Sequence, residues 1–553
     1  MSEIKYETKV IGCGLLVKEM LDELQVSQII DECLEYQPEI AATYGELAQT
    51  VIINRMNFEP VPLYELSRWA ENKGIDKLLG LEASWLDDDR MGAMLDGIAK
   101  HPVEIWSELI KRVVEKGDLN PEFLNMDTTS IYFEGQYENR DGTPKDDPNG
   151  PLLVEGYNKD GKRKKAQYVL SLTNSGRIPL WYKPWDGNQS DDGVYLADYE
   201  ELQKSDLNLE NTVLVGDRKL CNQKTMLGLE RTEQQFLAPF AWRDTAKNAW
   251  RATWKKVDRG EIEWVDVDYV SRNQEKKPVG ERTQYKACEV PYTLVDRQKD
   301  TSYELRWVFS WSSDKAERDK KKREKAIAAG QEQLAHVQRL LGKYDYKDRK
   351  TIKKRISSRL QKHSANHLFD FTLSGTATKQ NWQLNWKLNH SALKDEQKFD
   401  GIALFCTNVS QQRLSTAEVI ITYKQQINVE QSISFIKTPI RIRPMWLNLP
   451  RRIAGLTLLV MIAVLISSLI EHIVRQHVAT TGELIHGLMP ENRDNPFPTA
   501  TKILQAFQDY AFVIVQHSNS NYEVHYPDLR PVQQLIWNVI SPSRSPTPTL
   551  SGG

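Results

Sequence analysis

The sequence of 553 residues contains little that would suit a secreted, disulfide-stabilised protein. Its five cysteines are scattered and form no C-x-x-C pair. A sparse, odd set of this kind is typical of a reducing cytosol and argues against both a disulfide scaffold and a zinc site. The first ten residues have mixed charge and no apolar segment, so we expect no signal peptide and predict a cytoplasmic protein.

Several catalytic signatures are also missing, namely H-E-x-x-H, a Walker loop and G-x-S-x-G. Only one long uncharged run is present, over residues 453–470, and its 18 residues lie at the lower limit for a membrane span. Glycine, threonine and two serines dilute this run. We therefore predict a buried core helix and no membrane association.

The charge is unevenly distributed, although the formal net charge of −2 excludes a uniformly basic protein. Residues 1–120 carry 12 Lys/Arg against 23 Asp/Glu, whereas residues 313–363 carry 17 Lys/Arg against 7 Asp/Glu. Basic segments of this kind supply sequence-independent affinity for nucleic-acid phosphates. The alternative is a solvated helix face. For residues 313–325 this alternative is favoured, because acidic residues are interleaved with the basic ones there.

The apolar pattern predicts an α/β protein with several regions. Residues 1–120 show helical spacing, and strands alternate with helices from about residue 121. The predicted regions are a helical N-terminal domain (1–120), a discontinuous catalytic core (121–228 and 400–475), an insertion (229–399), a C-terminal helical region (476–540) and a disordered tail (541–553).

Three acidic residues are candidates for catalysis. Asp127 lies within an apolar strand pattern, Asp217 follows the short strand VLVG, and Glu430 lies in a helical segment. The carboxyl end of a sheet strand is where α/β folds bind ligands. If the three carboxylates converge, they can bind two divalent cations about 4 Å apart that activate an attacking oxygen and stabilise a leaving one. The alternative for each aspartate is a turn or cap residue.

The segment around Glu430 adds a second signal. Tyr423, Gln426, Glu430 and Lys437 follow one another at offsets of 0, 3, 7 and 14. In one continuous helix these positions lie within about 60° of each other. One face would then present a phenol, an amide, a carboxylate and an ammonium, which suits a nucleic-acid site; a solvated polar face is the alternative.

These segments together resemble bacterial insertion-sequence DDE transposases. FLNMDTTS resembles their first-Asp strand, VLVGDRKL their second-Asp strand, and LSTAEVIITYKQQINVEQSISFIK the helix with the YREK signature. The similarity runs from about residue 5 to residue 510. It implies an α/β fold in which an RNase H-like mixed-sheet core is interrupted by a strand-rich and helical insertion and preceded by an all-helical N-terminal domain.

The resemblance also implies roles for individual residues. Asp127, Asp217 and Glu430 would bind two Mg²⁺ ions, for which Mn²⁺ is a possible substitute. Tyr423 and Lys437 would contact DNA phosphates near the cut. Gln426 stands where the family has arginine, and its neutral amide cannot form the charged fork that arginine makes with phosphate. Alternative DNA-binding cations follow the helix, namely Arg441 and Arg443.

The insertion is inferred from spacing, because the separation of 213 positions between Asp217 and Glu430 exceeds what a compact core needs. In this transposase class the insertion is strand-rich and helps to hold a flipped base. Trp307 and Trp311, in the segment ELRWVFSW, are the candidates for base stacking. The alternative for each tryptophan is a place in the core of a sheet.

The function that follows from the resemblance is DNA transposition. The protein would act in the bacterial cytoplasm or nucleoid as a homodimer on double-stranded DNA, cutting terminal inverted repeats and joining the ends to target DNA. Two alternatives remain open. One is a nuclease on the same RNase H-like core, and the other is a catalytically impaired copy that binds DNA without cutting it.

Overall fold

The structure is a computed structural model that describes residues 5–34, 42–133, 137–156, 166–204, 207, 209–379, 381–437, 447–489, 491, 493–516 and 522–546. The chain divides into two compact units. The first contains residues 1–234 and 425–553, and the second contains residues 235–424.

The N-terminal part of the first unit consists mainly of helices that begin and end at recognisable signals. Thr43 and Glu46 form a reciprocal capping box at the start of one helix, and Pro102 is the first residue of another. Gly74 and Gly80 end two short helices with positive φ. The elements are β1 (Lys5–Val10), α1 (Gly14–Glu23), α2 (Val26–Cys33), α3 (Tyr44–Met56), α4 (Leu66–Lys73), α5 (Ile75–Leu79), α6 (Asp88–Ile98) and α7 (Pro102–Lys116).

A mixed sheet follows in the same unit. Its strands lie in the order β5-β4-β2-β6, with the short β3 also paired to β4. Strands β5, β4 and β2 are antiparallel, whereas β6 is parallel to β2. The elements are β2 (Phe123–Tyr132), β3 (Val154–Glu155), β4 (Ala166–Ser175), β5 (Ile178–Trp185), α8 (Asp191–Leu202), β6 (Val213–Val215) and α9 (Gln223–Arg231).

The second unit contains an antiparallel sheet in the order β7-β13-β10-β9-β8. A separate hairpin, β11–β12, packs with α12 and α13 around a core that includes Leu334, Ile356 and Phe369. The elements are β7 (Gln235–Pro239), α10 (Asp244–Asp258), β8 (Val265–Val267), α11 (Arg272–Glu275), β9 (Tyr285–Asp296), β10 (Thr301–Ser312), α12 (Ser313–Leu340), α13 (Arg349–Lys362), β11 (Phe369–Ser374), β12 (Gln383–Leu388), α14 (His390–Gln397), β13 (Ile402–Thr407) and α15 (Thr416–Lys424).

The chain then returns to the first unit. Its longest helix, α17, is long and apolar enough to cross a membrane by length and composition, yet 89% of its apolar window is buried inside the protein. This burial agrees with the predicted core helix. The remaining elements are α16 (Ile427–Lys437), α17 (Pro450–Thr481), α18 (Ala500–Gln505), β14 (Ala511–Gln516), β15 (Tyr522–His525) and α19 (Pro531–Ile540).

The structure corrects the predicted character of both ends of the chain. Strand β1 pairs antiparallel with β14, and β14 pairs with β15, so neither the N-terminal nor the C-terminal region is all-helical. The segment predicted to be a disordered tail is ordered at its first residue. Ser541 is buried, and its hydroxyl donates to a carboxylate oxygen of Glu19 at 2.6 Å.

The boundary of the predicted insertion is likewise different. The second unit ends at residue 424 and not at 399, because β13 is a strand of its sheet. Strand β13 pairs with β10 on one side and with β7 on the other. The segment 400–424, which we assigned to the catalytic core, therefore belongs to the second unit.

Candidate active site

Two of the three predicted catalytic acids are carried by neighbouring strands of the sheet, Asp127 within β2 and Asp217 just after β6. Strands β2 and β6 run parallel, with Asn125 paired to Val215. Asp127 follows Asn125 by two residues in β2, and Asp217 follows Val215, the last residue of β6, by two residues. Both aspartates are partly exposed. Asp217 therefore lies just beyond the carboxyl end of β6, where α/β folds bind ligands, beside the parallel strand that carries Asp127.

Local hydrogen bonds fix both carboxylates. One oxygen of Asp217 accepts from the N–H of Lys219 at 2.8 Å, which closes the turn after β6. One oxygen of Asp127 accepts from the N–H of Thr128, also at 2.8 Å. Gly216 is required for the close packing at this turn, because a Cβ there would come within 2.7 Å of Leu220 and 3.2 Å of Tyr195.

Tyr195 on α8 links the two aspartates electrostatically. Its ring is buried, and burial followed by the charges of Asp217 and Asp127 raises the pKa of its phenol well above the ordinary value. The phenol therefore stays protonated at neutral pH. Both carboxylates act on the same buried phenol, so they lie near one another around Tyr195. Sequence reasoning missed Tyr195 because it falls on the apolar face of α8.

Glu430 is not gathered into the same cluster. It is exposed on α16, a helix that packs on β2 and β4 of the same sheet. Ser432 of α16, for example, accepts a hydrogen bond from the amide of Asn174 on β4 at 2.8 Å. Within the described part of the chain, no three His, Cys, Asp or Glu residues are grouped to hold a metal ion. The aspartate pair fits a hard cation by its donor chemistry, whereas Glu430 stays a predicted ligand.

Gln426 has a different place from the one expected of a DNA-binding residue. Its side chain is only 5% exposed, and its amide nitrogen donates to the carbonyl of Met126 at 2.7 Å. Met126 directly precedes Asp127. The neutral amide thus helps to hold the strand that carries the first catalytic acid, and burial keeps it from a DNA surface.

The predicted polar helix face is also interrupted. Helix α15 ends at Lys424 and α16 begins at Ile427, so Tyr423 and Glu430 do not share one continuous helix. Tyr423 is partly buried, with its ring 4.8 Å from that of Phe405. Lys437 is the last residue of α16 and is partly exposed.

The remaining predicted DNA contacts have separate outcomes. Trp307 is 4% exposed and stacks on Tyr292 with centroids 4.1 Å apart and an interplanar angle of 9°. This ring is therefore a core residue, as in the alternative given above, and its faces are not open to a base. Trp311 is partly exposed and lies against Gly401. Two predicted cations lie outside the described residues, namely Arg441 and Arg443.

Two buried polar residues near the site gave no signal in the sequence. Asn125, two positions before Asp127 and on the same side of β2, is 1% exposed, and both polar atoms of its side chain lack a hydrogen-bond partner. Asp198 on α8 accepts from the indole N–H of Trp185 at 3.2 Å. Burial raises the pKa of Asp198 to about 7.

Comparison with known proteins adds two findings. A family model described as a domain of unknown function (DUF4277) matches residues 6–115, which include most of β1 and the N-terminal helices. Among solved structures, the chain is similar to piggyBac transposase in a synaptic complex with hairpin DNA, with a TM-score of 0.37, 9% identity, and coverage of 90% of this chain and 79% of that chain. Similarity at this level does not by itself assign a fold or a function. No curated protein matches the chain.

Proposed function

We propose that this chain is a DNA transposase of the DDE type, built on an RNase H-like core. The observation that carries the proposal is the aspartate pair: Asp127 lies within β2, and Asp217 lies two residues beyond β6, the parallel neighbour of β2. The strand order β5-β4-β2-β6 suits such a core, since β5, β4 and β2 are antiparallel to one another in turn and β6 is parallel to its neighbour β2. The resemblance of the motifs supports the same assignment.

The proposed chemistry is phosphodiester hydrolysis followed by strand transfer. Asp127 and Asp217 would hold Mg²⁺, and Glu430 on α16 is the proposed third acid. Mg²⁺ held there would supply activation of the attacking oxygen and stabilisation of the leaving oxygen of the phosphodiester. Gln426 holds β2 through the carbonyl of Met126. Gly216 allows the turn that positions Asp217 to pack closely.

The proposed substrate is double-stranded DNA, comprising the inverted repeats of an insertion sequence and the target into which it is joined. A homodimer in the bacterial cytoplasm would bring two such ends together. Lys437 and the basic helices α12 and α13 are proposed to contact phosphates, where their affinity would fall with salt. Trp311 is the remaining candidate for stacking a flipped base.

A second function is a DNA-binding copy that does not cut. The observation that favours it is the exposed Glu430, which completes no group of three metal-binding side chains in the described residues. A nuclease without strand transfer would share the aspartate pair. The products formed from DNA separate all three functions.

The test is cleavage of DNA carrying the inverted repeats that flank the gene. Wild-type protein should give Mg²⁺-dependent nicks and joined products, whereas Asp217→Ala should give neither. The exposed loop variant Asp141→Ala is a matched control and should cut normally. Unimpaired cutting by Asp217→Ala would refute the assignment, nicks without joined products would indicate a nuclease, and binding without any product would indicate an impaired copy.

A further inference from the structure

Arg55 is a buried cation without a visible partner. It lies in the last turn of α3 and is 3% exposed. Its Nε is buried and has no acceptor, and its guanidinium makes no ion pair with any residue in the described ranges. Burial lowers the pKa of Arg55 only to about 10, so the group remains charged at neutral pH. A buried charge of this kind needs a compensating anion.

Arg55 lines a cavity of about 300 Å³ inside the first unit. A second guanidinium, that of Arg452 at the start of α17, lines the same cavity. Most of the remaining wall is apolar, with Met91, Leu95 and Leu456 among its members. The cavity opens to solvent on the side of the exposed Asp88, and Arg55 is the cation in its wall that has no carboxylate partner among the described residues.

Arg452 is anchored in place by other groups. Its Nε and one terminal nitrogen each donate to a carboxylate oxygen of Asp96 at 3.0 Å. The guanidinium also lies over Gly92, where a Cβ would come within 2.6–2.7 Å of it. The other terminal nitrogen, Nη1, donates to no acceptor among the described residues. Any side chain at position 92 would displace the Arg452 guanidinium, so the glycine leaves the space that this guanidinium occupies.

We propose that this cavity binds a phosphate group. A planar guanidinium presents paired N–H donors that match two phosphate oxygens, and Arg55 can supply such a pair. Arg452, whose Nε and one terminal nitrogen are held by Asp96, would add one further donor through Nη1. The volume is at the small end of the range for ligand sites, which suits a phosphate with a small attached moiety. The site uses none of the catalytic acids and stands independently of the proposed transposase function.

Asp88 is the one acid that lines the cavity. It is exposed at the start of α6, and the structure shows no ion pair between it and Arg55. If Asp88 were the true counter-ion, removing its charge would weaken the site. If the cavity binds phosphate, Asp88 instead repels the ligand, and Asp88→Asn should bind phosphate more tightly. The two explanations thus predict opposite signs.

The experiment measures binding of inorganic phosphate to the full-length protein by calorimetry, against chloride at equal ionic strength. We expect Arg55→Met to lower the affinity about 10- to 100-fold, the usual effect of losing a charged hydrogen-bond donor. Arg55→Lys, which keeps the charge, should retain part of the binding and serves if the methionine variant does not fold. Asp88→Asn should raise the affinity.

Two further arms identify the source of the phosphate and separate this proposal from the catalytic one. Competition by a short DNA duplex would show that a backbone phosphate occupies the site, and absence of competition would show that a free phosphate compound does. Asp217→Ala should bind phosphate like wild type even if it no longer cuts DNA. No phosphate binding by the wild type, equal affinity in Arg55→Met, or weaker binding in Asp88→Asn would overturn the proposal.

Discussion

Replacing Gln426 with arginine tests how this chain departs from the YREK pattern. If Gln426 faced DNA, Gln426→Arg would restore a phosphate contact and improve activity. The structure predicts the reverse. The side chain is 5% exposed, its amide nitrogen bonds the carbonyl of Met126, and its amide oxygen is buried without a partner. An arginine there would introduce an uncompensated charge beside the strand of Asp127.

The magnitude follows from the cost of burying such a charge. An unpaired buried ion destabilises by about 3–5 kcal/mol, and the larger side chain adds about 1–3 kcal/mol of overpacking. One new hydrogen bond to the carbonyl of Met126 would offset only about 1.5–3 kcal/mol. We therefore expect a net loss of several kcal/mol, concentrated where α16 packs on β2.

The assay is amide hydrogen exchange of peptides that cover β2 and α16, because exchange reports the free energy of local opening. The matched control is Gln425→Arg, since Gln425 is the exposed neighbour and should tolerate the change within about 0.5 kcal/mol. Equal protection in the two variants, together with faster DNA cleavage by Gln426→Arg, would refute the buried, structural role of Gln426.

Two predictions concern buried polar groups. The folded protein keeps the proton of Asp198 up to about pH 7, whereas the unfolded chain releases it near pH 3.8, so the free energy of unfolding should fall as pH rises between these values. In thermal unfolding, Asp198→Asn should remove this pH dependence, and an unchanged pH dependence would contradict the prediction. Asn125→Val should raise the local stability of β2 by about 1–3 kcal/mol, because it removes two unpaired buried atoms from a strand. A loss of protection in hydrogen exchange would instead show that Asn125 has a bound partner.

The aspartate pair could be predicted because its signal is local. A short apolar strand followed by Gly-Asp, and a second strand with an internal Asp, already indicate carboxylates carried by the strands of a sheet. The structure then adds the parallel register of β2 and β6. The burial of α17 in the core could also be predicted from the sequence, because an uncharged apolar run of that length must be buried.

The helix break and the fate of Trp307 could not be read from the sequence. Periodicity continues across residues 416–437, yet α15 ends at Lys424 where the chain passes from one unit to the other. Trp307 is enclosed by Tyr292 and Phe240, which come from other strands and loops. Tertiary contacts determine both the helix break and the burial of Trp307, and no local sequence pattern indicates such contacts.

The central claim is that Asp217 binds the metal ion that cuts DNA, and a ligand exchange tests it most directly. In Asp217→Cys a thiolate replaces the carboxylate, and thiolates bind Mg²⁺ poorly but accept softer metals such as Mn²⁺. Cleavage of the inverted-repeat DNA by this variant should be lost in Mg²⁺ and recovered in Mn²⁺. Full cleavage by Asp217→Cys in Mg²⁺ alone would contradict the account.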